Sequence, residues 1–453
     1  MQRNAGFGHI LSNRRFLILW SNQILLQLSM NMLNFSLLIW VFRLTHSNTA
    51  VSLYIISATL PALVFGVLAG VMADIFDRRK MIMATDIGMA LSVLGFLLVK
   101  EQLGLILFVS LVFNSFVQFF VPNEAAAIPT LVSKEALIIA NSLFFFTMYG
   151  MILLGYTLAG PLINYGGQDS VFYIVAVACA SAFLIIRLLP PLRAVKEEIE
   201  FDVELSSDVV VLVKKAIEVT FVRMIDGFAF VFGNVRVWMA ITLLAIFQSV
   251  VAIIATLTPG FFEAVVKVSA NDTYVIMAPL GLGLLVGAVG VGQWGNKVPR
   301  RILIGLGVFF SGVFILAMGL APIIISAIAS DTFMVNVPRS FLEMVPVVAV
   351  LAATAFGLGF AAVHIAIPTQ TTLQEQTPSA VRGRAFSMLA ILNSVGSAVP
   401  ALIAGAAADV FGIVPVMISL GVLIILPTLA ALGLYRLDRS RLPHQIADLL
   451  YGA

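Results

Sequence analysis

The sequence predicts an all-α membrane protein, with twelve transmembrane helices in two pseudo-symmetric six-helix bundles. Three observations predict it: an extremely apolar composition, twelve apolar windows of bilayer length, and an echo of the first six windows in the second six. Of 453 residues, 60% are hydrophobic and 11% charged, and the mean hydropathy is +1.06. One water-soluble core cannot bury that much apolar surface. Lipid-facing helices can accommodate it, because each satisfies its own backbone hydrogen bonds. The apolar runs are continuous and do not alternate, which disfavours a membrane β-barrel.

Apolar windows of about 20 residues place spans near 16–42, 50–74, 81–99, 102–122, 138–163 and 170–190. A second set follows near 237–262, 273–293, 301–324, 344–367, 384–408 and 412–434. The polar stretch between them divides the chain into an N-terminal bundle (1–190), a linker (191–236) and a C-terminal bundle (237–453). The linker opens with Glu197, Glu198, Glu200, Asp202, Glu204 and Asp208, read as a solvated run. Val213, Ile217, Phe221, Met224 and Phe228 then recur at helical spacing, which predicts an amphipathic helix along the inner membrane face. The first residues, MQRNAGFGHILSNRRF, show no small-residue cleavage site after a short apolar core, so they read as a cytosolic tail. Cys179 has no second cysteine to pair with, so no disulfide framework is expected.

The basic residues orient the spans. Loops on the side of the N-terminus hold 22 of the 26 Lys and Arg, and the opposite side holds Arg43, Lys100, Lys267 and Arg339. The positive-inside rule therefore puts both termini and the linker in the cytoplasm. A wrong number of spans would scramble the asymmetry, so it also supports twelve. With the bases placed by topology, a net charge of +3 implies no nucleic-acid partner.

The echo between halves is specific. Asn13-Arg14-Arg15-Phe16 aligns with Asn234-Val235-Arg236-Val237 at an offset of 221 residues. Gly70 aligns with Gly292, and Arg78-Arg79 with Arg300-Arg301, at 222. Pro122 aligns with Pro368 at 246 and Gly160 with Gly405 at 245. The jump of about 24 residues predicts an external insertion near 325–343. Charged hinges, GVMADIFDRRK (70–80) and GQWGNKVPRRI (292–302), recur between apolar runs. Same-orientation repeats of six spans point to a transporter with its substrate site between bundles near the midplane.

Gly70, Asp74, Arg78 and Arg79 resemble the loop signature between spans 2 and 3 of the major facilitator superfamily, with Asp77 where many members have glycine. The form D-x-F-D-R-R is similar to the macrolide-efflux and enterobactin-exporter branch. Arg382-Gly383-Arg384-Ala385-Phe386-Ser387 and Asp226-Gly227-Phe228, followed by Phe232 and Asn234, also resemble that branch. The resemblance covers the whole chain and says nothing of substrate.

Span 2 runs inward, so Asp74 lies at its C-terminal end, where a carboxylate opposes the helix dipole by roughly 0.3–1 kcal/mol. Arg78, or the N-terminus of span 11 beside Arg382 and Arg384, would compensate it. Gly66 and Gly70 give span 2 a smooth face for close approach. The resemblance implies that these residues form a latch between the halves; the plainer reading is a charge cluster that only sets topology. Bases alone would set topology without Asp74.

Span 1 carries Gln23, Gln27, Asn31 and Asn34 on one helical face, and span 4 carries Ser110, Asn114 and Gln118 four residues apart. Amides cannot face lipid unpaired, so both stripes must face protein or water. In the resembled family, spans 1, 4, 7 and 10 line the cavity. Span 7 would add Gln248 and Thr256, and span 10 Thr354. The alternative is hydrogen-bonding glue between helices. No Asp, Glu, Lys or Arg lies mid-span in 1, 4, 7 or 10, and Asn114 stands near where many drug-exporting relatives carry arginine. A neutral cavity with Phe144, Phe145, Phe146, Met148 and Met151 nearby suits a neutral, amphipathic or weakly charged cargo.

Gly155, Gly160 and Pro161 in span 5 resemble an incomplete form of the Gly-Pro motif associated with antiport; a plain small-residue packing face is the alternative. The proton-coupling candidates are Asp86, a turn and a half into span 3, and Glu124, at the inner end of span 4. Asp86 also has the alternative of a simple pairing with Arg79. His364 reads as a structural hydrogen bonder. There is no Walker-type phosphate loop and no metal-ligand cluster, so the chain is expected to be no enzyme and to need no cofactor. The leading expectation is proton-coupled export of small amphipathic molecules by a monomer in the cytoplasmic (inner) membrane. Uptake or facilitated movement of a neutral solute, such as a sugar or a lipid, is the second. A non-transporting sensor or scaffold is the third, and the breakable hinge argues against it.

Overall fold

Each apolar window overlaps an α-helix of the computed structural model, which describes residues 10–99, 101–133, 136–192, 230–266, 274–329, 339–377 and 379–437. In chain order the helices are α1 (Arg14–Thr45), α2 (Asn48–Ile75), α3 (Arg78–Phe96), α4 (Leu103–Leu131), α5 (Leu137–Gly166) and α6 (Gln168–Ile186). They continue with α7 (Val235–Gly260), α8 (Tyr274–Trp294), α9 (Arg300–Ala329), α10 (Arg339–Gln376), α11 (Ser379–Phe411) and α12 (Ile413–Leu437). A π-helical turn, Phe261–Val266, extends α7, and a 3₁₀ turn, Gly295–Lys297, follows α8. Among the described residues, ten of the helices are long and apolar enough to cross a membrane. The other two have local causes. Arg78, Arg79, Lys80 and Asp86 interrupt α3, and the described apolar stretch of α12 is Ile413–Leu426.

The helix boundaries explain the internal repeat physically. Asn13 Oδ1 accepts from the backbone N–H groups of Arg15 and Phe16 at 3.1 and 3.2 Å, and Asn234 Oδ1 accepts from Val237 N at 3.3 Å. The aligned asparagines thus cap α1 and α7 alike. At the other end, Gly167 (φ 74°) and Gly412 (φ 90°) make the one-residue joints α5–α6 and α11–α12. That left-handed backbone favours glycine, and the two lie 245 residues apart, the offset of Gly160 and Gly405.

Five expected boundaries are corrected: α3 ends at Phe96 and not at 99, and α6 at Ile186 and not at 190. Helix α4 runs to Leu131, not to 122, and α10 runs from Arg339 to Gln376, well beyond 344–367. The extra residues of the second half lengthen helices: α9 has 30 residues against 19 in α3, and α10 has 38 against 29 in α4. Positions 325–329 and 339–343 are therefore helical, while the rest of the expected external insertion lies outside the described residues. The linker's acidic run and its expected amphipathic helix also lie outside them.

The chain forms two compact units. The first comprises Met1–Leu44, Leu53–Ala229 and Phe386–Ser394; the second comprises Thr45–Ser52, Phe230–Ala385 and Val395–Ala453. In the first unit, Phe172 of α6 packs between Trp40 of α1 and Phe96 of α3, with ring centroids 5.3 and 5.4 Å away. Trp20 Nε1 of α1 donates to Thr147 Oγ1 of α5 at 2.8 Å. In the second unit the core gathers Leu257, Phe261, Phe262, Ile276, Ile315 and Leu351 from α7 to α10. Helices α8 and α10 meet backbone to backbone there, since a Cβ on Gly283 would land on Phe356 O and one on Gly359 on Leu280 O. Large apolar side chains such as Leu91, Phe108, Val177 and Leu423 remain exposed, as a lipid-facing surface requires.

Candidate functional site

The first hinge is built from helix ends. Asp77 caps α3, its Oδ1 accepting from Lys80 N at 3.2 Å, and it also accepts from Leu192 N at 3.4 Å. Arg78 then bridges two helices: Nε donates to Ala73 O at 3.3 Å and Nη1 to Ala126 O on α4 at 3.0 Å. Arg79 Nη2 donates to Arg187 O, just past α6, at 2.7 Å. Guanidinium groups thus serve the carbonyls of α2, α4 and the end of α6, the favourable arrangement at C-terminal ends. A Cβ added to Gly66 or Gly70 would meet nothing within 4 Å. The side chains of Asp74, Arg382 and Arg384 lie outside the described residues, so the expected latch contact stands as a reading of the sequence.

The second hinge uses a carboxylate where the first uses carbonyls. Arg300, the counterpart of Arg78, opens α9 and makes a bidentate pair with Glu375 of α10 at 2.6 and 2.8 Å. Fork-to-fork geometry of this kind fixes orientation. The pair is half exposed on both sides, so it contributes little stability. Glu375 was not singled out by sequence reasoning, because the expected span 10 stopped short of it.

Among the described residues, two acids are buried in the first unit. Asp86 is 0% exposed and Glu124 is 6% exposed. Asp86 Oδ2 accepts from Asn22 Nδ2 of α1 at 2.9 Å, and the same amide donates to Ala182 O of α6 at 3.2 Å. The alternative pairing with Arg79 is thereby corrected, since that guanidinium serves Arg187 O. Asp86 Oδ1 and Glu124 Oε1 have no hydrogen-bond partner among the described residues. Glu124 is also corrected in place: α4 continues about two turns beyond it. Asn22 escaped sequence reasoning because it sits one residue off the amide stripe.

The stripe residues divide between helix contacts and the helix's own backbone. Gln23 Nε2 donates to Phe144 O of α5 at 3.2 Å, and Asn34 Oδ1 accepts from Tyr54 of α2 at 2.7 Å. Asn31 Nδ2 donates to Gln27 O one turn back at 2.7 Å. On α4, Asn114 Nδ2 donates to Ser110 O at 2.8 Å. Gln27, Gln118 and Gln248 are half-buried, while Thr256 and Thr354 are buried and donate to their own helices. In α5, Gly155 lies against Asn31 Cβ and the Met32 backbone, Gly160 is buried and Pro161 half-buried. Phe144 is buried against Phe16, and Phe146 is 68% exposed. Phe145's side chain lies outside the described residues. His364 Nδ1 lies 2.8 Å from Phe360 O within α10.

A paired six-helix repeat with basic hinges is what comparison with known proteins can test. The sequence pattern of the Major Facilitator Superfamily matches residues 19–342. The chain belongs to the major facilitator superfamily. An uncharacterized MFS-type transporter, YfiS, of Bacillus subtilis (strain 168) is 32% identical over 151 residues, which span 33% of this chain and 36% of that relative. Among solved structures, the nucleoside transporter NupG has a TM-score of 0.67 at 13% identity, covering 93% of this chain and 99% of that one. An auto-inhibited POT family peptide transporter has a TM-score of 0.66 at 15% identity, covering 95% and 99%. Identities this low establish the fold alone. By its family the chain is a multi-pass membrane protein of a transporter kind and not an enzyme.

Proposed function

We propose that the chain is a secondary active exporter, exchanging protons for small amphipathic or weakly charged molecules by alternating access. On this reading it is a monomer of the cytoplasmic membrane with both termini inside, akin to the macrolide-efflux and enterobactin-exporter branch. The amide stripes of α1 and α4 line the cargo path, and Gly155, Gly160 and Pro161 let α5 bend. Asp74, Arg78, Arg382 and Arg384 form the inner latch.

The observation that carries the proposal is Asp86. It is fully buried halfway along α3, and its described partner is the neutral amide of Asn22. An intramembrane acid of this kind is a functional site by default. Asn22 shares α1 with Gln23 and Gln27, so a change at Asp86 reaches the cargo stripe through one helix. Glu124 is the second acid of the same unit and the alternate proton site.

The test is accumulation of cationic and neutral dyes in bacteria stripped of their own pumps. The intact chain is expected to lower accumulation, and a protonophore to abolish the effect. Asp86→Asn is expected to lose uphill export while still exchanging dye between equal pools. Higher accumulation with the intact chain would overturn export in favour of uptake of a solute. Full uphill export by Asp86→Asn would remove that residue from coupling.

A further inference from the structure

Helix α2 starts in the grip of α11. Asp409, in the last turn of α11, faces the first residues of α2 and accepts five hydrogen bonds. Its Oδ1 accepts from Asn48 N at 2.8 Å and Asn48 Nδ2 at 2.9 Å. Its Oδ2 accepts from Ser47 Oγ at 2.7 Å, Thr49 N at 2.9 Å and Thr49 Oγ1 at 2.7 Å. One turn deeper, Ser52 Oγ donates to Ala401 O of α11 at 2.8 Å. Between these contacts lies Gly405, the repeat counterpart of Gly160. A Cβ there would strike Ser52 Oγ and crowd Asn48 O. The seam thus closes only around a glycine. His46, preceding the cap, sits 3.3 Å from Glu263 at the end of α7.

A carboxylate in the last turn of a helix is disfavoured by that helix's dipole, and one at the N-terminus of another is favoured. Asp409 occupies both positions at once, so its comfort in α11 depends on α2 staying attached. At the other end of α2, Asp74 stands in the last turn, the place that the reading above gives to the inner latch. All residues of the Asp409 seam belong to the second unit, although the rest of α2 from Leu53 to Ile75 belongs to the first.

We propose that Asp409 is a releasable cap that locks the outer end of α2 to α11, the reciprocal of the inner latch at Asp74. The contacts that would open are the Asp409 hydrogen bonds, reinforced by a helix dipole. Releasing Ser47, Asn48 and Thr49 frees α2 to move with the unit that holds its remainder. The alternation of the two caps rests on the transport reading above; the existence of the lock does not.

The test uses purified full-length protein in nanodiscs, so neither membrane orientation nor cargo enters the result. Ser52→Cys, in a Cys179→Ser background, reports opening of the seam through its rate of maleimide labelling. Thr49→Val removes one donor and is expected to raise that rate about threefold; Asp409→Ala removes five acceptor contacts and is expected to raise it at least about thirtyfold. Gly405→Ala forces the seam apart with Asp409 and its five donors intact and is expected to label as fast as Asp409→Ala. Monodispersity and melting temperature are followed for each variant, since a misfolded protein would label fast without the graded order. Equal rates in the parent and all three variants would overturn the lock. Ordered opening in a protein that moves no dye would retain the lock and reject the export reading.

Discussion

Asn22 shows why buried polar groups have to be judged in pairs. Its amide joins Asp86 of α3 to Ala182 O of α6, and all three groups sit in the interior of the first unit. Removing the donor alone leaves a buried carboxyl group without its partner, a loss of about 1–3 kcal/mol. Replacing both members by apolar residues of similar shape can be nearly neutral. Asn22→Leu is therefore expected to lower the melting temperature in detergent, with the Asn22→Leu/Asp86→Leu double variant recovering most of it. Additive losses in that double-mutant cycle would show that the two side chains act independently. A sequence reading could find Asp86, because an acid inside an apolar window stands out. It could not find Asn22, because which of several polar residues on α1 turns towards α3 is decided by packing. The same holds for Glu375, whose pairing with Arg300 depended on how far α10 extends.

At the scale of elements, glycine decides how closely helices pack. Gly359 places the backbone of α10 against Leu280 O of α8, and an added Cβ would collide with a main-chain oxygen. No rotamer change relieves such a clash, so one helix must move. Gly359→Ala is expected to cost about 1–3 kcal/mol as overpacking, visible as a lower melting temperature and a lower yield of monodisperse protein. Gly292→Ala is the control, because a Cβ there meets nothing within 4 Å. It is expected to be neutral or slightly stabilising, since alanine favours the helix by up to about 1 kcal/mol. Equal behaviour of the two variants would sink the packing argument. The helices themselves were legible from apolar length; Asn13 and Asn234 showed as repeat counterparts, and their capping role emerged from the structure. The ends of α4 and α10 were not. Polar and charged residues such as Glu124 and Glu375 end an apolar window without ending a helix, because the backbone ladder continues regardless of hydropathy.

For the whole molecule, one distribution of charge carries the topology. The proposed orientation puts 22 of 26 basic residues on one side of the expected twelve spans, which avoids the high cost of moving Lys and Arg across the bilayer. The helices fix where each side is reached. Tyr165 is strongly exposed at the end of α5, beside the Gly167 joint, and the orientation puts it outside. Lys80 is exposed in the first turn of α3, and the orientation puts it inside. Single cysteines at these positions give opposite predictions in intact cells. Tyr165→Cys is expected to react with a membrane-impermeant maleimide at once, and Lys80→Cys only after the cells are permeabilised. Cys179 is buried and supplies little background. The reverse pattern would invert the molecule and turn the proposed export into uptake through the same helices. Labelling of both from outside would mean an even number of crossings between Lys80 and Tyr165, whereas α3, α4 and α5 make three, so one of these helices would have to lie out of the membrane.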